Sequence, residues 1–146
     1  MPRYVATVAS PRSPEDAFDF LADLRNFPAW DPGVKRAVQV RGDGPGPEAA
    51  YDLTIASNGS VMRYEVRAFG RPDRIVVESR TGLLHSIDEI RVQRDGEGSV
   101  VTYDATLSLS GWLSPLSFTV GPVFRRIGDA AAEGLRRALR GVAVKS

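Results

Sequence analysis

The chain has 146 residues, of which 42% are hydrophobic, and this is enough apolar surface for a single domain over residues 1–146 with a core of its own. It contains no cysteine, which excludes disulfides, thiolate nucleophiles, iron–sulfur clusters and thiolate zinc sites. Its 19 basic and 18 acidic residues nearly cancel, so no strong field would attract nucleic acid or an anionic membrane. No apolar run approaches the roughly 18 residues that span a bilayer, and we therefore expect a cytoplasmic protein.

The first part of the chain predicts a strand followed by two short helices. Residues 3–9 alternate as a strand does, and Ser13 with Pro14 then marks a helix start, because serine caps free N–H groups and proline suits the first turn. Apolar residues recur at helical spacing as far as Leu24. The segment 26–33 carries two prolines and a glycine, which predicts the end of the second helix.

Residues 34–110 predict an antiparallel meander of strands. Apolar and polar residues alternate through most of this region, as expected of strands with one face on a core and the other in water. Asn58-Gly59 is typical of a two-residue hairpin turn, and Asp95 to Gly98 closes another hairpin. The connections are too short for crossover helices, so neighbouring strands should pair antiparallel.

The last segment predicts an amphipathic helix from about Gly121 to Gly141. At about 100° per residue, apolar residues including Ile127 and Leu135 share one arc, and charged residues, mostly arginines, occupy the opposite arc. Glycines and alanines also lie on or beside the apolar arc, Gly134 among them. They either leave open volume above the sheet or let the backbones of helix and sheet approach closely. The residues alone leave both interpretations open.

The order of these elements resembles the START-like superfamily, the helix-grip fold shared with Bet v 1-type and polyketide cyclase/dehydrase-like proteins. The local pieces that carry the resemblance are the residues entering the first helix (13–18), those leaving the second (26–32) and those opening the last strand (98–103). It implies an α+β fold, with a curved antiparallel sheet of about seven strands around a long C-terminal helix and two short helices after strand 1. It also implies an apolar ligand between sheet and helix, and no cofactor. Members differ in activity, so the fold alone assigns none.

On this interpretation the inward strand residues, the two tryptophans and the small side of the helix line a mostly apolar chamber. Tyrosine hydroxyls would supply a few polar contacts to a hydrophobic ligand. The alternative is that the aromatic residues are core or anchor residues that need no ligand. The predicted ligand-binding residues are Trp30, Tyr51, Leu53, Met62, Tyr64, Val77, Tyr103, Leu107, Trp112, Phe124, Gly128 and Ala131.

Asp88 and His85 are the candidate catalytic residues. Alternation with Ile90 places Asp88 on the inner face, where a raised pKa would let it move protons in an aldol-type cyclisation or a dehydration. A register slip of one residue would reverse that facing. His85 is the only histidine and the usual proton carrier at neutral pH, although the same alternation turns it outward. One histidine cannot form a histidine-rich metal site, and we predict no metal.

These observations leave three functional hypotheses. The first is a binding protein for a small hydrophobic molecule such as a polyketide or a lipid. The second is an aromatase/cyclase or dehydratase that uses Asp88 or His85. The third is a protein-interaction module with a vestigial cavity. None of the three involves nucleic acid, a membrane span or a metal.

Overall fold

An antiparallel sheet and a long helix form the two layers of the computed structural model. It describes residues 3–81, 84–109, 117–139 and 142–143, with side chains for 3–81, 84–108 and 125–139. The strands are β1 (Arg3–Ser10), β2 (Val34–Arg41), β3 (Ala50–Ile55), β4 (Val61–Gly70), β5 (Arg74–Arg80), β6 (Leu84–Asp95), β7 (Gly98–Leu109) and the two-residue β8 (Val142–Ala143).

The strand order is β2-β3-β4-β5-β6-β7-β1-β8, and every neighbouring pair is antiparallel. Strands β2 to β7 form the predicted meander, and β1 returns to pair with β7. The predicted α+β helix-grip fold is therefore confirmed, with β8 as a short addition at one edge. No helix in the described part of the chain is long and apolar enough to cross a membrane.

Two short helices follow β1, as the sequence predicts. They are α1 (Pro14–Ala22) and α2 (Phe27–Trp30), joined by a 3₁₀ turn (Leu24–Asn26). The hydroxyl of Ser13 caps α1 by accepting a hydrogen bond from Asp16 N at 3.2 Å. Both helices bury their apolar side chains against the sheet and the long helix, with Phe18, Leu21 and Phe27 at most 1% exposed.

The long helix, α3 (Ser117–Ala138), begins and ends earlier than the pattern predicted. Its last carbonyl groups are satisfied by side chains at the end of β1. Ser10 Oγ donates to Leu139 O at 2.9 Å, and the Arg12 guanidinium donates to Ala138 O at 3.3 Å. Because these contacts take the place of a further helical turn, the chain leaves α3 and pairs as β8 with β1.

The hairpin predicted at Asn58-Gly59 is present, but the two-residue turn is wrong. Residues 56–60 form the connection, with Gly59 at φ +72°. Gly59 N donates to Ile55 O at 2.8 Å, and Asn58 Oδ1 accepts from Ser60 N at 2.9 Å. The side chain of Asn58 therefore stabilises a longer loop in place of the tight turn.

The small residues of α3 permit close approach. A Cβ added to Gly134 would lie 1.7 Å from the carbonyl oxygen of Trp30, and one added to Gly128 would lie 2.5 Å from the ring of Tyr4. The Tyr4 ring is held there because its hydroxyl donates to Asp129 at 2.7 Å. At these two positions glycine removes volume, which resolves the question that the sequence left open.

The side chains described in α3, from residue 125 to 139, differ in burial along the helix. Ala131, Leu135 and Leu139 are at most 4% exposed, as the apolar arc predicts. Ile127 belongs to the same arc but is 50% exposed, so its predicted burial is wrong. The helix is pressed against α2 and β1 near its C-terminal end, and at Ile127 it no longer packs on a filled core.

Replacing Gly134 with alanine tests the close contact. Alanine improves helix propensity by about 1 kcal/mol, but the added methyl group overlaps the carbonyl of Trp30 and must displace α2 or α3. We expect a net loss of about 2 kcal/mol in the free energy of unfolding, measured by urea denaturation. The matched control is Gly46→Ala, where a Cβ meets nothing within 4 Å. Equal stabilities for the two variants would contradict the assignment.

Candidate functional site

A cavity of about 510 Å³ lies between the inner face of the sheet and α3 at Ile127. Strands β3, β4, β6 and β7 form its floor, the segment from Asp31 to Val34 forms one side, and Ile127 of α3 reaches over it. The loop 56–60 lies at its mouth. Most of its wall is apolar, and the apolar side chains are those of Phe27, Pro32, Val34, Leu53, Ile55, Ala56, Met62, Leu84, Ala105, Leu107 and Ile127.

A larger depression of about 720 Å³ lies elsewhere, between the start of α1 and the ends of β5 and β6. It is lined mainly by charged and polar residues, among them Glu15 and Arg94, which form an ion pair at 3.1 Å. Surface ion pairs of this kind are ordinary features of a solvated face. The smaller cavity is the candidate site because it is apolar and more enclosed.

The polar end of the cavity is a row of hydrogen-bonded side chains across three strands. Tyr103 Oη donates to Asp88 Oδ2 at 2.9 Å, and Ser86 Oγ donates to Asp88 Oδ1 at 3.4 Å. Tyr64 Oη in turn donates to Ser86 Oγ at 3.3 Å. These four residues, which we call the Asp88 network, all line the cavity.

The strand register explains why the Asp88 network faces inward. The pairing of β6 with β7 runs without interruption from Leu84 opposite Leu109 to Asp95 opposite Gly98. Alternation is therefore preserved along β6, and Ser86, Asp88 and Ile90 share the inner face. Asp88 is only 5% exposed. The structure thus places this carboxyl inside, as the alternation predicted.

Burial controls the protonation of Asp88. Removal from water raises the pKa of Asp88 to about 7, and the nearby charge of Asp31 acts in the same direction, while the hydrogen bonds from Tyr103 and Ser86 oppose the rise. Burial also raises the pKa of Tyr103 well above its usual range and that of Tyr64 in the same direction. The tyrosines stay neutral near neutral pH, whereas Asp88 titrates there.

Asp31 is a second cavity carboxyl that sequence reasoning missed. It follows α2 directly, and its Oδ1 accepts a hydrogen bond from Gly33 N at 2.9 Å. Burial raises the pKa of Asp31 as well. The sequence suggested only a helix-ending turn here, since Asp-Pro-Gly is a common turn pattern. The available signal was its position directly after Trp30, which the sequence analysis counted among the residues lining the chamber.

The structure brings part of the predicted ligand-binding set together. Leu53, Met62, Tyr64, Tyr103 and Leu107 all line the cavity with Asp88. Trp112 lies outside the described residues, and Phe124 lies in α3 with its side chain outside the description. The remaining predicted residues do not line the cavity, and they are Trp30, Tyr51, Val77, Gly128 and Ala131.

Trp30 is an anchor between layers. It is 2% exposed, its ring packs against those of Phe27 and Tyr103 with centroids 4.6 and 5.6 Å away, and its backbone carbonyl meets Gly134. The indole Nε1 has no hydrogen-bond partner among the described residues. Trp30 therefore lies outside the cavity wall, packed between α2, α3 and the sheet.

The other four residues are covered by the protein itself. Tyr51 and Val77 face inward from β3 and β5, but both belong to the packed core, at 0% and 2% exposed. The ring of Tyr4 covers Gly128, and Ala131 lies in the tightly packed part of α3. These four residues therefore lie outside the cavity wall, in packed parts of the fold.

His85 lies on the outer face of β6, away from the cavity. Its Nε2 pairs with the Glu78 carboxylate, and Arg80 approaches the same nitrogen at 3.4 Å. His85 and Arg67 together hold the pKa of Glu78 below its usual range. The structure therefore does not bring His85 to Asp88. In the described part of the chain, no three histidine, cysteine or acidic side chains are grouped to hold a metal.

Comparison with known proteins supplies a family and a fold. A family model described as polyketide cyclase/dehydrase and lipid transport matches residues 1–141. No curated protein matches the chain. Among solved structures, TTHA0849 from Thermus thermophilus is 18% identical with a TM-score of 0.74, over 95% of this chain and 97% of that one.

Two further structures are similar. The di-domain ARO/CYC StfQ from the steffimycin biosynthetic pathway is 18% identical with a TM-score of 0.71, over 92% of this chain and 48% of that one. Ginseng major latex-like protein 151 from Panax ginseng is 11% identical with a TM-score of 0.66, over 94% and 96% of the two chains. At these identities the likeness shows the fold alone.

The pKa of Asp88 predicts a pH dependence of stability. The folded protein holds the Asp88 proton up to about pH 7, whereas the unfolded chain releases it near pH 3.8. The folded state therefore binds more protons in this window, and Asp88 lowers the free energy of unfolding as pH rises, by up to about 4 kcal/mol. We expect the stability of wild type minus that of Asp88→Asn to fall from pH 4 to 7 and to level off above it.

The control for this measurement is Asp104→Asn. Asp104 lies on the outer face of β7, and the hydrogen bond from Arg3 lowers its pKa. The same difference for Asp104→Asn should therefore rise with pH in the acid range, opposite in sign to that for Asp88. Urea denaturation at unit pH steps measures both. A flat difference for Asp88→Asn would show that its carboxyl is ionised throughout.

Proposed function

The chain belongs to the polyketide cyclase/dehydrase and lipid transport family, and on that basis we propose that it binds a small hydrophobic molecule in the cavity between the sheet and α3. The fold is a hydrophobic-ligand-binding fold, which the ginseng latex-like protein shares. A polyketide or a lipid is the ligand class that the family description suggests. The observation that carries the proposal is the cavity of about 510 Å³, walled by apolar side chains with one polar end.

The size and composition of the cavity support this proposal. Its volume lies within the roughly 300–1,000 Å³ common for small-molecule sites. Removing about 300 Å² of apolar ligand surface from water contributes on the order of 7 kcal/mol before the cost of association. A single hydrogen bond contributes only about 1 kcal/mol net. The apolar wall therefore supplies most of the affinity, and the Asp88 network sets orientation and selectivity.

The packing of α3 explains why the space stays open. Gly134 lets the helix lie close to the Trp30 carbonyl, while Ile127, about two turns earlier, is half exposed and lines the cavity. The cavity is thus a consequence of how the helix is seated. This open volume argues against the hypothesis of an interaction module with a vestigial cavity.

Filling the cavity tests the proposal. Ala105 lines the floor on β7, and Ala105→Phe puts an aromatic ring into the ligand space. We expect the dissociation constant for the neutral apolar probe N-phenyl-1-naphthylamine to rise by about tenfold or more, measured by fluorescence titration. Thr106→Phe is the matched control, since Thr106 lies outside the cavity on the opposite face of the same strand. If both variants, shown to be folded by near-UV circular dichroism, bind the probe as wild type does, the proposed site is wrong.

A second candidate function is catalysis, and the Asp88 carboxyl favours it. A group whose pKa is about 7 can both accept and donate a proton near neutral pH. In an aldol-type cyclisation, carboxylate Asp88 would remove a proton from the carbon between two carbonyls, and the enolate carbon would attack a third carbonyl. The attack gives an alkoxide, and the protonated carboxyl would return its proton to that oxygen to complete the aldol. In the dehydration that follows, the carboxylate would remove the second proton from the same carbon and pass it to the departing hydroxide, releasing water. Tyr103 would hold the carboxyl in place.

Substitution of Asp88 separates catalysis from binding. With a reactive poly-β-ketone as substrate, Asp88→Asn should lower the cyclisation rate by about 100-fold, because amides do not exchange protons in this range. His85→Ala is the control, and it should leave the rate unchanged because His85 lies on the outer face. Product formation is followed by liquid chromatography with mass detection. A full rate for Asp88→Asn rules out this catalytic role and leaves the binding proposal intact.

A further inference from the structure

The charged side chains that line the cavity are all acidic. Asp31 and Asp88 line it, and no lysine, arginine or histidine is among the lining residues that the structure describes. Neither carboxyl forms an ion pair within the described part of the chain. The charge of Asp31 also raises the pKa of Asp88, Tyr64 and Tyr103, so its carboxyl lies within Coulombic reach of the Asp88 network.

Acidic side chains elsewhere in the molecule are treated differently. Arginine donates to Asp19, Asp52 and Asp104 at 2.7 to 3.0 Å, and Glu78 and Glu89 also have arginine partners. Several acids on the surface thus have arginine partners within the described part of the chain, whereas the two in the cavity have none. Buried charges without a partner are costly, which leaves a place for a cation that the protein does not provide.

The direction of the hydrogen bonds in the Asp88 network supports the same conclusion. An ionised carboxylate can only accept, so Tyr103 and Ser86 must both donate to Asp88. The single proton of Ser86 is then used, and Tyr64 must donate to Ser86. All three hydroxyl protons therefore point toward Asp88. With Asp88 ionised, the polar end of the cavity offers acceptors only, and a ligand has to bring the donor.

We propose that the cavity selects apolar ligands that carry a cationic amine, with the ammonium group at the end lined by Asp88 and Asp31. The ammonium supplies three donors and the missing positive charge, and the apolar body occupies the wall formed by Leu53, Met62 and Leu107. A carboxylate held at the same end would meet two like charges and no free donor there, and it is rejected. This inference rests on the proposed function, because it names the ligand class of the same cavity.

Three ligands with one naphthyl body test the proposal on the wild-type protein. They are 2-(naphthalen-2-yl)ethylamine, 2-(naphthalen-2-yl)ethanol and naphthalen-2-ylacetate, compared by calorimetric titration at about pH 7.5 and moderate salt. We expect the amine to bind about tenfold more tightly than the alcohol, and the alcohol about tenfold more tightly than the carboxylate. Equal affinity of amine and alcohol, or tighter binding of the carboxylate, overturns the selectivity. Absence of binding by all three overturns both this inference and the proposed function.

Two variants test whether Asp88 and Asp31 cause the preference for the amine. Asp88→Asn and Asp31→Asn should each reduce the ratio of amine affinity to alcohol affinity by about fivefold or more, because only the amine carries a positive charge that these carboxyls can pair with. Asp104→Asn is the control, since this acid lies on the outer face of β7 beside Arg3. If the preference survives both cavity substitutions, or falls equally in the control, the amine is not recognised by these carboxyls and the proposal is wrong.

Discussion

The contact between Gly134 and the carbonyl of Trp30 sets how closely α3 can lie on the rest of the fold. Because no side chain intervenes there, the helix descends until Leu135 and Leu139 reach the core, and hydrogen bonds from Ser10 and Arg12 hold its end. About two turns nearer the start of the helix, Ile127 is half exposed and lines the cavity, so one helix takes part in both the tight contact and the cavity wall.

The sheet contributes a second constraint, which is continuity of register. The pairing of β6 with β7 is unbroken, whereas the β2–β3 pairing has two register shifts and the β4–β5 pairing has one. The strands that carry Asp88 and Tyr103 form the longest unbroken pairing among those described. The hydrogen bond between Tyr103 and Asp88 joins adjacent strands and needs this regularity. A register slip of one residue would point the Asp88 side chain outward, toward solvent.

Sequence periodicity predicted correctly which face of a strand or helix a side chain occupies, but it did not predict what packs over that side chain. Alternation placed Asp88 inward and His85 outward, and helical spacing predicted burial of Leu135, since both depend only on local geometry. Whether an inward residue meets a ligand space depends on what packs over it. Tyr51 is inward like Tyr64 but is covered by the core, and Asp31 reaches the cavity from a turn with no periodicity. Tertiary packing decides such cases, and one sequence does not carry it.

The Asp88 network also has a property that no single member has. Tyr64 and Tyr103 end a row in which every link is a hydroxyl or a carboxyl, each able to pass on one proton as it takes another. When Asp88 becomes protonated, the bonds on one side can reverse by rotation of hydroxyl groups alone. The row thus runs across the inner face of the sheet from β4 to β7, and the direction of its hydrogen bonds changes with the protonation of Asp88 while every heavy atom stays in place.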